Sequence, residues 1–493
     1  MSKRLENITQ QRLDKLKRLR DRGIDPYPAR YRRTHTTQQA KGLVGEESHP
    51  STEVTVSVAG RILAQRGMGK ATFVDLQDGS GRIQAYFRRD QVGDEKYALV
   101  QELDLGDFVG VTGGLFKTRS GEITVNVAHF TLLAKSLQPL PEKWHGLVDV
   151  EKRYRQRYLD LISNEETRNL FLTRSRIIRA IRCFLDGQGF VEMETPILQP
   201  IAGGARARPF ITHHHALDRD FYLRIATELH LKRLIIGGYD KVYEIGRIFR
   251  NEGISTRHNP EFTTLESYEA YADYTDVMSM LEAMVYYVAQ EVLGTAKVAY
   301  GAINLDFTPP WKRMTLSEAL MDACGIDLRE CLAGGPEVLR DTMREKGMEL
   351  DETMSPAYLV DKLVSAYVEP TLMQPTFLID YPAETTPLAK TKKDNSALVE
   401  RFEAFAAGME FANAFSELND PIEQSARFEI QEQWRRQFGD EEAEQYQEDF
   451  ITAMEYGMPP TGGLGVGIDR LVMLLCNQQS IREVILFPQL KTR

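Results

Sequence analysis

A chain of 493 residues, 42% hydrophobic and 27% charged, has the make-up of a globular protein of two or three domains. Net charge is −10, which excludes a uniformly basic nucleic-acid coat. The four cysteines (Cys183, Cys324, Cys331 and Cys476) are too scattered for a disulfide framework or a zinc site, and no apolar run is long enough to span a membrane. With no apolar secretory core at the N-terminus, these features point to a reducing cytoplasm.

Residues 1–22 read as a helix with Leu5, Ile8, Leu13, Leu16 and Leu19 set among Arg and Lys. Residues 1–33 hold 11 Lys/Arg against 4 Asp/Glu. Such a helix either packs on a neighbouring domain or contacts RNA directly, since an RNA partner needs only a basic face. Asp25-Pro26-Tyr27-Pro28 ends it, and residues 35–52 are polar and loop-like. Five short strands follow, at 54–64, 71–77, 82–87, 108–118 and 122–132. Their number and Gly-bearing turns predict a small barrel of the oligonucleotide-binding (OB) type over residues 53–136. Alternation turns Phe73 and Gln84 outward on neighbouring strands, where bases could stack and pair. Residues 137–150, with Pro139 and Pro141, form a linker. From 151 to 493, helices and strands mix without regular alternation, which predicts an α+β domain. Within it, residues 324–370 read as a helical, acidic insertion with no chemical role legible in them.

The chemistry concentrates at residues 249–268, read as strand, polar loop, strand. The first strand leads into Arg250 and Glu252, and the loop carries Arg257, His258, Asn259 and Pro260. Period two then sets Phe262, Thr264, Glu266 and Tyr268 on one face. A second segment, Gly463-Leu464-Gly465-Val466-Gly467-Ile468-Asp469-Arg470, is a Gly-rich strand entering a helix that carries Arg470. Its glycines bare one face of the strand to a flat ligand. It is no dinucleotide fingerprint, because Arg470 stands where the third Gly belongs. A third, residues 175–185, is a helix with apolar Ile177, Ile178, Ile181, Phe184 and Leu185, followed by a strand ending at Pro196.

These three segments resemble motifs 2, 3 and 1 of the class II aminoacyl-tRNA synthetases. The stretches 203–218, 226–238, 249–274, 400–420 and 459–488 extend the likeness to the bacterial lysyl-tRNA synthetases. The resemblance implies an OB-fold anticodon-binding domain and a catalytic domain built on a mixed, mainly antiparallel sheet. It also implies a cytoplasmic homodimer, joined through motif 1, that activates L-lysine with ATP and charges tRNA(Lys). Arg250 would take the α-phosphate and could also touch the substrate carboxylate, Glu252 the adenine amino group and His258 the outer phosphates. Phe262 would stack on the adenine, and Arg470 would cover its other face or contact the γ-phosphate. Glu403 and Glu410 match positions that bind Mg2+. Their spacing of seven sets them on one face of a helix, although Glu410 could already open a strand, and on spacing alone both could be simply solvated.

A pocket with spare carboxylates calls for a cationic substrate, since a buried charge without a partner is strongly unfavourable. Glu417, Glu266 and Tyr268 would meet the lysine ε-ammonium, Glu228 the α-amino group, Asn413 the carboxylate and Gly204 a backbone contact. Glu417 could instead be half of a structural ion pair. In this family Phe73 and Gln84 match the barrel positions that stack on and bond to the anticodon. His215, His230 and Ser267 depart from the commonest family spelling, and alternation turns Ser267 away from the ligand face. The nearest rival is an aspartyl- or asparaginyl-tRNA synthetase of the same subgroup, against which the pocket glutamates count. A protein-modifying lysyl ligase would lack the barrel, and a catalytically dead RNA-binding relative would not keep Arg250, Glu252, Glu403, Glu410 and Arg470 together.

Overall fold

The computed structural model describes residues 3–44, 54–141, 147–351, 354–438, 442 and 445–491. The chain forms two compact units, Met1–Val148 and Asp149–Arg493. Parts of the expected polar loop (45–52), linker (142–146) and insertion (352–353) lie outside the described residues.

In the first unit, strands Thr55–Met68, Ala71–Gln77, Arg82–Arg88, Phe108–Lys117 and Ile123–Ala134 close into a barrel. The third and fifth strands pair in parallel and the other neighbours antiparallel, closing the sheet without a free edge. Alternate side chains, among them Val56, Val58, Val74, Leu76, Ile83, Ala85 and Phe87, fill its interior. Helix Lys3–Asp21 packs on this unit rather than standing free. Leu16 and Leu19 are buried, and buried Arg12 donates to the carbonyls of Leu105, Ser136 and Gln138. Lys15 pairs with Asp104 and Arg18 with Glu102, both at 2.8 Å, so part of the helix's basic face is engaged within the unit. The stretch read as loop contains a short helix, Thr37–Gly42, because Thr36 and Gln39 form a reciprocal capping box.

The second unit is built on an eight-stranded sheet. Its strands in spatial order are Lys312–Thr315, Thr376–Ile379, Arg401–Ala406, Met409–Ser416, Thr461–Gly467, Glu261–Ala270, Lys241–Phe249 and Val191–Glu192. Only the two edge pairs are parallel. Helices Glu165–Gly187, Tyr274–Leu293 and Ile468–Leu475 bury their apolar sides against one face of this sheet, in one core with Leu265, Phe402, Ala414 and Val466. Asp273 starts the helix Tyr274–Leu293 by accepting from the amides of Thr275 and Asp276. The other face of the sheet is left to the site.

Two expectations are corrected here. Glu403 and Glu410 do not share a helix; they stand on the adjacent antiparallel strands Arg401–Ala406 and Met409–Ser416. A two-residue turn, Ala407-Gly408, joins these strands with both residues at positive φ, the geometry that matches strand twist in a tight hairpin. The apolar side of the motif 1 helix does not wait for a second chain. Ile177, Ile181 and Leu185 are fully buried in the unit's own core, beside the helix Tyr274–Leu293. Replacing Ile181 with Asp would therefore break the fold, whatever the state of assembly. Ile181→Ala leaves a cavity and should cost about 3 kcal/mol. Urea unfolding followed by circular dichroism checks this; a loss below about 1 kcal/mol would place the side chain at a surface.

Candidate active site

The open face of the sheet floors a cavity of about 480 Å3. Strand alternation supplies its floor. On Glu261–Ala270, Leu265 and Ser267 turn into the protein while Phe262, Thr264, Glu266 and Tyr268 line the cavity. On the neighbouring strands Glu403, Asn413 and Glu417 do the same, with Gly463, Gly465 and Gly467 running between. Gly204 and Glu228 close one side; Arg250, Glu252 and His258 form another with Glu410 and Arg470. The structure thus gathers into one cavity every residue the sequence singled out for nucleotide, amino acid or metal.

The cavity is acidic at its floor. Helix Glu228–Ile236 begins there, and Thr227 just before it donates its amide to Glu266 Oε1 at 3.1 Å. The other Glu266 oxygen accepts from Tyr268 at 3.3 Å. Burial, reinforced by the charge of Glu228, pushes the Glu266 carboxyl up to about 7. Burial likewise raises the carboxyls of Glu228 and Glu417. Between these two lies the fully buried ammonium of Lys232, 2.5 Å from Glu228 Oε1 and in direct contact with Glu417 Oε2. Their charges outweigh the effect of its burial and hold it protonated. Glu417 is therefore half of an ion pair and also a cavity residue. Its Oε1 is buried without a hydrogen-bond partner, against the bare backbone of Gly463, where a Cβ would come within 1.8 Å of it. Position 463 must be Gly for this carboxylate to lie where it does.

Elsewhere in the cavity the groups are mixed. The Arg250 guanidinium lies 5.3 Å over the Phe262 ring, with its Nε buried and unpartnered. Arg470 donates from Nη1 to the Glu410 carbonyl at 2.7 Å and carboxylate at 3.1 Å. Its Nη2 lies 3.1 Å from His258 Nε2. Partial burial and the nearby Arg470 hold the His258 imidazole below its usual range. A neutral ring can therefore accept from Arg470 and use Nδ1 toward Ser255 Oγ, 2.9 Å away. Glu403 accepts from Tyr381 at 2.6 Å and from Arg401 at 2.5 Å. Burial and the neighbouring Glu410 nevertheless push its carboxyl up to about 7.

Several of these residues escaped the sequence reading. Arg401 stacks on Tyr381 and donates from Nε to Asn413 Oδ1 at 3.1 Å, which commits the Asn413 oxygen and leaves its amide nitrogen as the donor for a ligand. Period two in Arg401, Phe402 and Glu403 was the available signal. Lys232 follows Glu228 by four, a spacing that ordinarily marks a solvated surface pair. Asp361, Ser365 and Glu369 of the helical insertion also line the cavity, and Arg206 donates to Ser355 at 3.0 Å. The insertion thus contributes to the site.

In the barrel, Phe73 and Gln84 are half-buried on adjacent strands. The Phe73 ring stacks on Tyr86 with centroids 4.4 Å apart, and Tyr86 meets Phe116 at 5.9 Å. Gln84 Oε1 accepts from Thr124 at 3.1 Å. Outward-facing Tyr86 was legible from its alternation with Gln84, and the pairing with Phe116 was not.

A family model described as tRNA synthetases class II (D, K and N) matches residues 149–491, and one described as an OB-fold nucleic acid binding domain matches residues 56–133. The chain is 57% identical over 491 residues to a lysine--tRNA ligase of Dehalococcoides mccartyi, covering 99% of this chain and 98% of that one. It is 56% identical to the lysine--tRNA ligase of Pelotomaculum thermopropionicum, covering 99% and 96%. It is 52% identical to that of Bacillus subtilis (strain 168), covering 99% and 98%.

The raised Glu266 carboxyl makes the stability of the ligand-free protein depend on pH. Its folded value, about 7, exceeds the ordinary value of 4.5. The contribution is therefore fully present below 4.5 and is lost as pH rises through about 7. Glu266→Gln removes this dependence. Between about pH 5 and pH 8, the parent should lose about 2.5 kcal/mol that the variant keeps. Parallel pH–stability curves in urea would show that Glu266 titrates normally.

Proposed function

The chain belongs to the class II tRNA synthetases of the D, K and N group, and from that membership and the charge of its cavity we infer a lysine--tRNA ligase. It activates L-lysine with ATP and then charges tRNA(Lys). The observation that carries the lysine assignment is the acidic floor. Glu417 keeps a carboxylate oxygen without a partner beside the buried Glu266 carboxyl, while Lys232 is already committed to Glu228 and Glu417. An aspartate-specific relative would need a free cation here, so the aspartyl or asparaginyl reading is not favoured.

In the first step a lysine carboxylate oxygen attacks the α-phosphorus of ATP. The bond from that phosphorus to the bridging oxygen breaks, and pyrophosphate leaves. Little covalent help is needed, so positioning and charge carry the step. Arg250 suits the α-phosphate, with its unpartnered Nε and a fork that can hold two oxygens. Phe262 stacks on the adenine, Glu252 accepts from its amino group, and His258 and Arg470 lie toward the outer phosphates. The lysine ε-ammonium meets Glu417, Glu266 and Tyr268, and its α-ammonium Glu228 and the Gly204 backbone. The Asn413 amide nitrogen, set by Arg401, donates to the carboxylate. In the second step a ribose hydroxyl at the 3′ end of tRNA takes the acyl group and AMP leaves.

Mg2+ fits this site as a shared ligand. Glu403 and Glu410 stand on adjacent strands and line the same cavity. Among the described residues no group of three or more His, Cys, Asp or Glu could hold a metal. Two carboxylates that complete an octahedral shell with phosphate oxygens and water are a usual Mg2+ environment. When bound, the ion would neutralise and orient the phosphates.

The barrel offers Phe73, extended by Tyr86 and Phe116, as a stacking surface for anticodon bases, and Gln84 for their edges. A homodimer is supported by exposed apolar side chains around and beyond motif 1: Val191, Ile197, Leu198, Ile211 and Leu217. Work in the cytosol is supported by four free cysteines. No described helix is long and apolar enough to cross a membrane.

ATP–pyrophosphate exchange assayed with each amino acid tests the assignment. Lysine alone should support exchange, with Mg2+ required. Glu417→Gln should raise the KM for lysine by roughly a hundredfold through the loss of a charge-assisted hydrogen bond and leave the KM for ATP in place. Comparable exchange with aspartate or asparagine would contradict it.

A further inference from the structure

Lys232 has no place in the chemistry above, yet its ammonium is the most deeply enclosed charge at the site. Its side chain is 0% exposed, while those of Glu228 and Glu417 are 10% and 1% exposed. It reaches the floor from the same helix face as Glu228, four residues earlier. Rings of Phe415 and Phe450 flank it at 5.4 and 5.9 Å, so no water competes for the ammonium on those sides. The charged and titratable groups around it come from several elements. Glu228 comes from its own helix, Glu417 from the end of strand Met409–Ser416, Glu266 and Tyr268 from Glu261–Ala270, and Arg401, which acts on Glu228, from Arg401–Ala406.

We propose that Lys232 is a positioning residue that sets amino-acid selectivity. Its ammonium fixes the spacing of Glu228 and Glu417 and cancels one of the three floor carboxylates. The charge left uncancelled matches a ligand with two ammonium groups. This rests on the lysine reading of the site.

The charge count follows from the residues themselves. Glu228, Glu266 and Glu417 carry three negative charges when ionised, and Lys232 carries one positive. Lysine brings an α- and an ε-ammonium, and its carboxylate faces Asn413 and Arg250 instead. Without Lys232 the floor would hold three carboxylates in a closed space. Such a group relieves itself by taking up a proton, as close carboxylates do. That proton occupies an oxygen the ligand needs. A lone surface ion pair would have no such consequence, because solvent would replace the lost partner.

The test uses the full chain, with exchange kinetics for lysine and ATP between about pH 6.5 and 8.5. Lys232→Met should raise the KM for lysine by about tenfold or more at neutral pH, with the KM for ATP held within about twofold. The defect should shrink as pH rises and the extra proton is lost. Lys232→Arg keeps the charge and should restore most of the affinity. A lysine KM and pH profile in Lys232→Met equal to the parent's would overturn the proposal, as would an equal rise at every pH. Should Lys232→Met not fold, calorimetry on the parent in buffers of different ionisation enthalpy decides. Lysine binding at neutral pH should release no more than about one proton, that of Glu266. Release of two or more would mean that Lys232 does not keep Glu228 and Glu417 ionised. A parent with no lysine-dependent exchange at all would instead remove the lysine reading itself.

Discussion

Three titratable groups meet where little solvent reaches: the ammonium of Lys232 and the carboxyl groups of Glu228 and Glu417. Removing such charges from solvent is unfavourable by several kcal/mol per ion unless partners and geometry compensate. That constraint organises the site. Helix Glu228–Ile236 must present Glu228 and Lys232 on one face, and the chain after Met409–Ser416 must deliver Glu417 to meet them. Gly463 must carry no side chain, because any Cβ would strike the Glu417 carboxylate. One oxygen of Glu417 remains without a partner and faces the cavity.

The rest of the cavity divides the work by charge. The floor is acidic. Arg250, His258 and Arg470 bring basic groups to the same cavity, with the Phe262 ring under Arg250. In the ligand-free state the protein pairs these groups with its own: Arg470 with Glu410, and Arg401 with Glu403 and Asn413. Such pairing keeps side chains oriented before a ligand arrives, which is how a site that relies on positioning is prepared. A single sheet serves both halves, since one face is sealed by helices and the other alternates functional side chains into the cavity.

Much of this was legible in the chain. Period two on residues 261–270 placed Phe262, Glu266 and Tyr268 together, and the barrel strands stood out by their spacing and turns. The failures have physical reasons. Glu403 and Glu410, seven apart, satisfy helical spacing, while the Ala407-Gly408 turn that makes them a hairpin is only two residues long. An amphipathic helix announces that one side is buried without saying against what, so a helix expected to join two chains through motif 1 buries Ile181 in the unit's own core. Glu228 and Lys232 look like a solvated pair until a second carboxylate, Glu417, arrives from far along the chain. Long-range convergence of this kind leaves no local pattern, and the same holds for Asp361 and Glu369 of the insertion.

Selection by buried charge is tested most directly with norleucine, which matches lysine in shape but lacks the ε-ammonium. Titration calorimetry of both amino acids against the same protein, with ATP absent, reads the difference. A floor of carboxylates left facing a methyl group should bind norleucine on the order of a thousandfold more weakly than lysine. Binding of the two within about tenfold would show that shape and apolar contact, rather than the Glu266 and Glu417 carboxylates, choose the substrate.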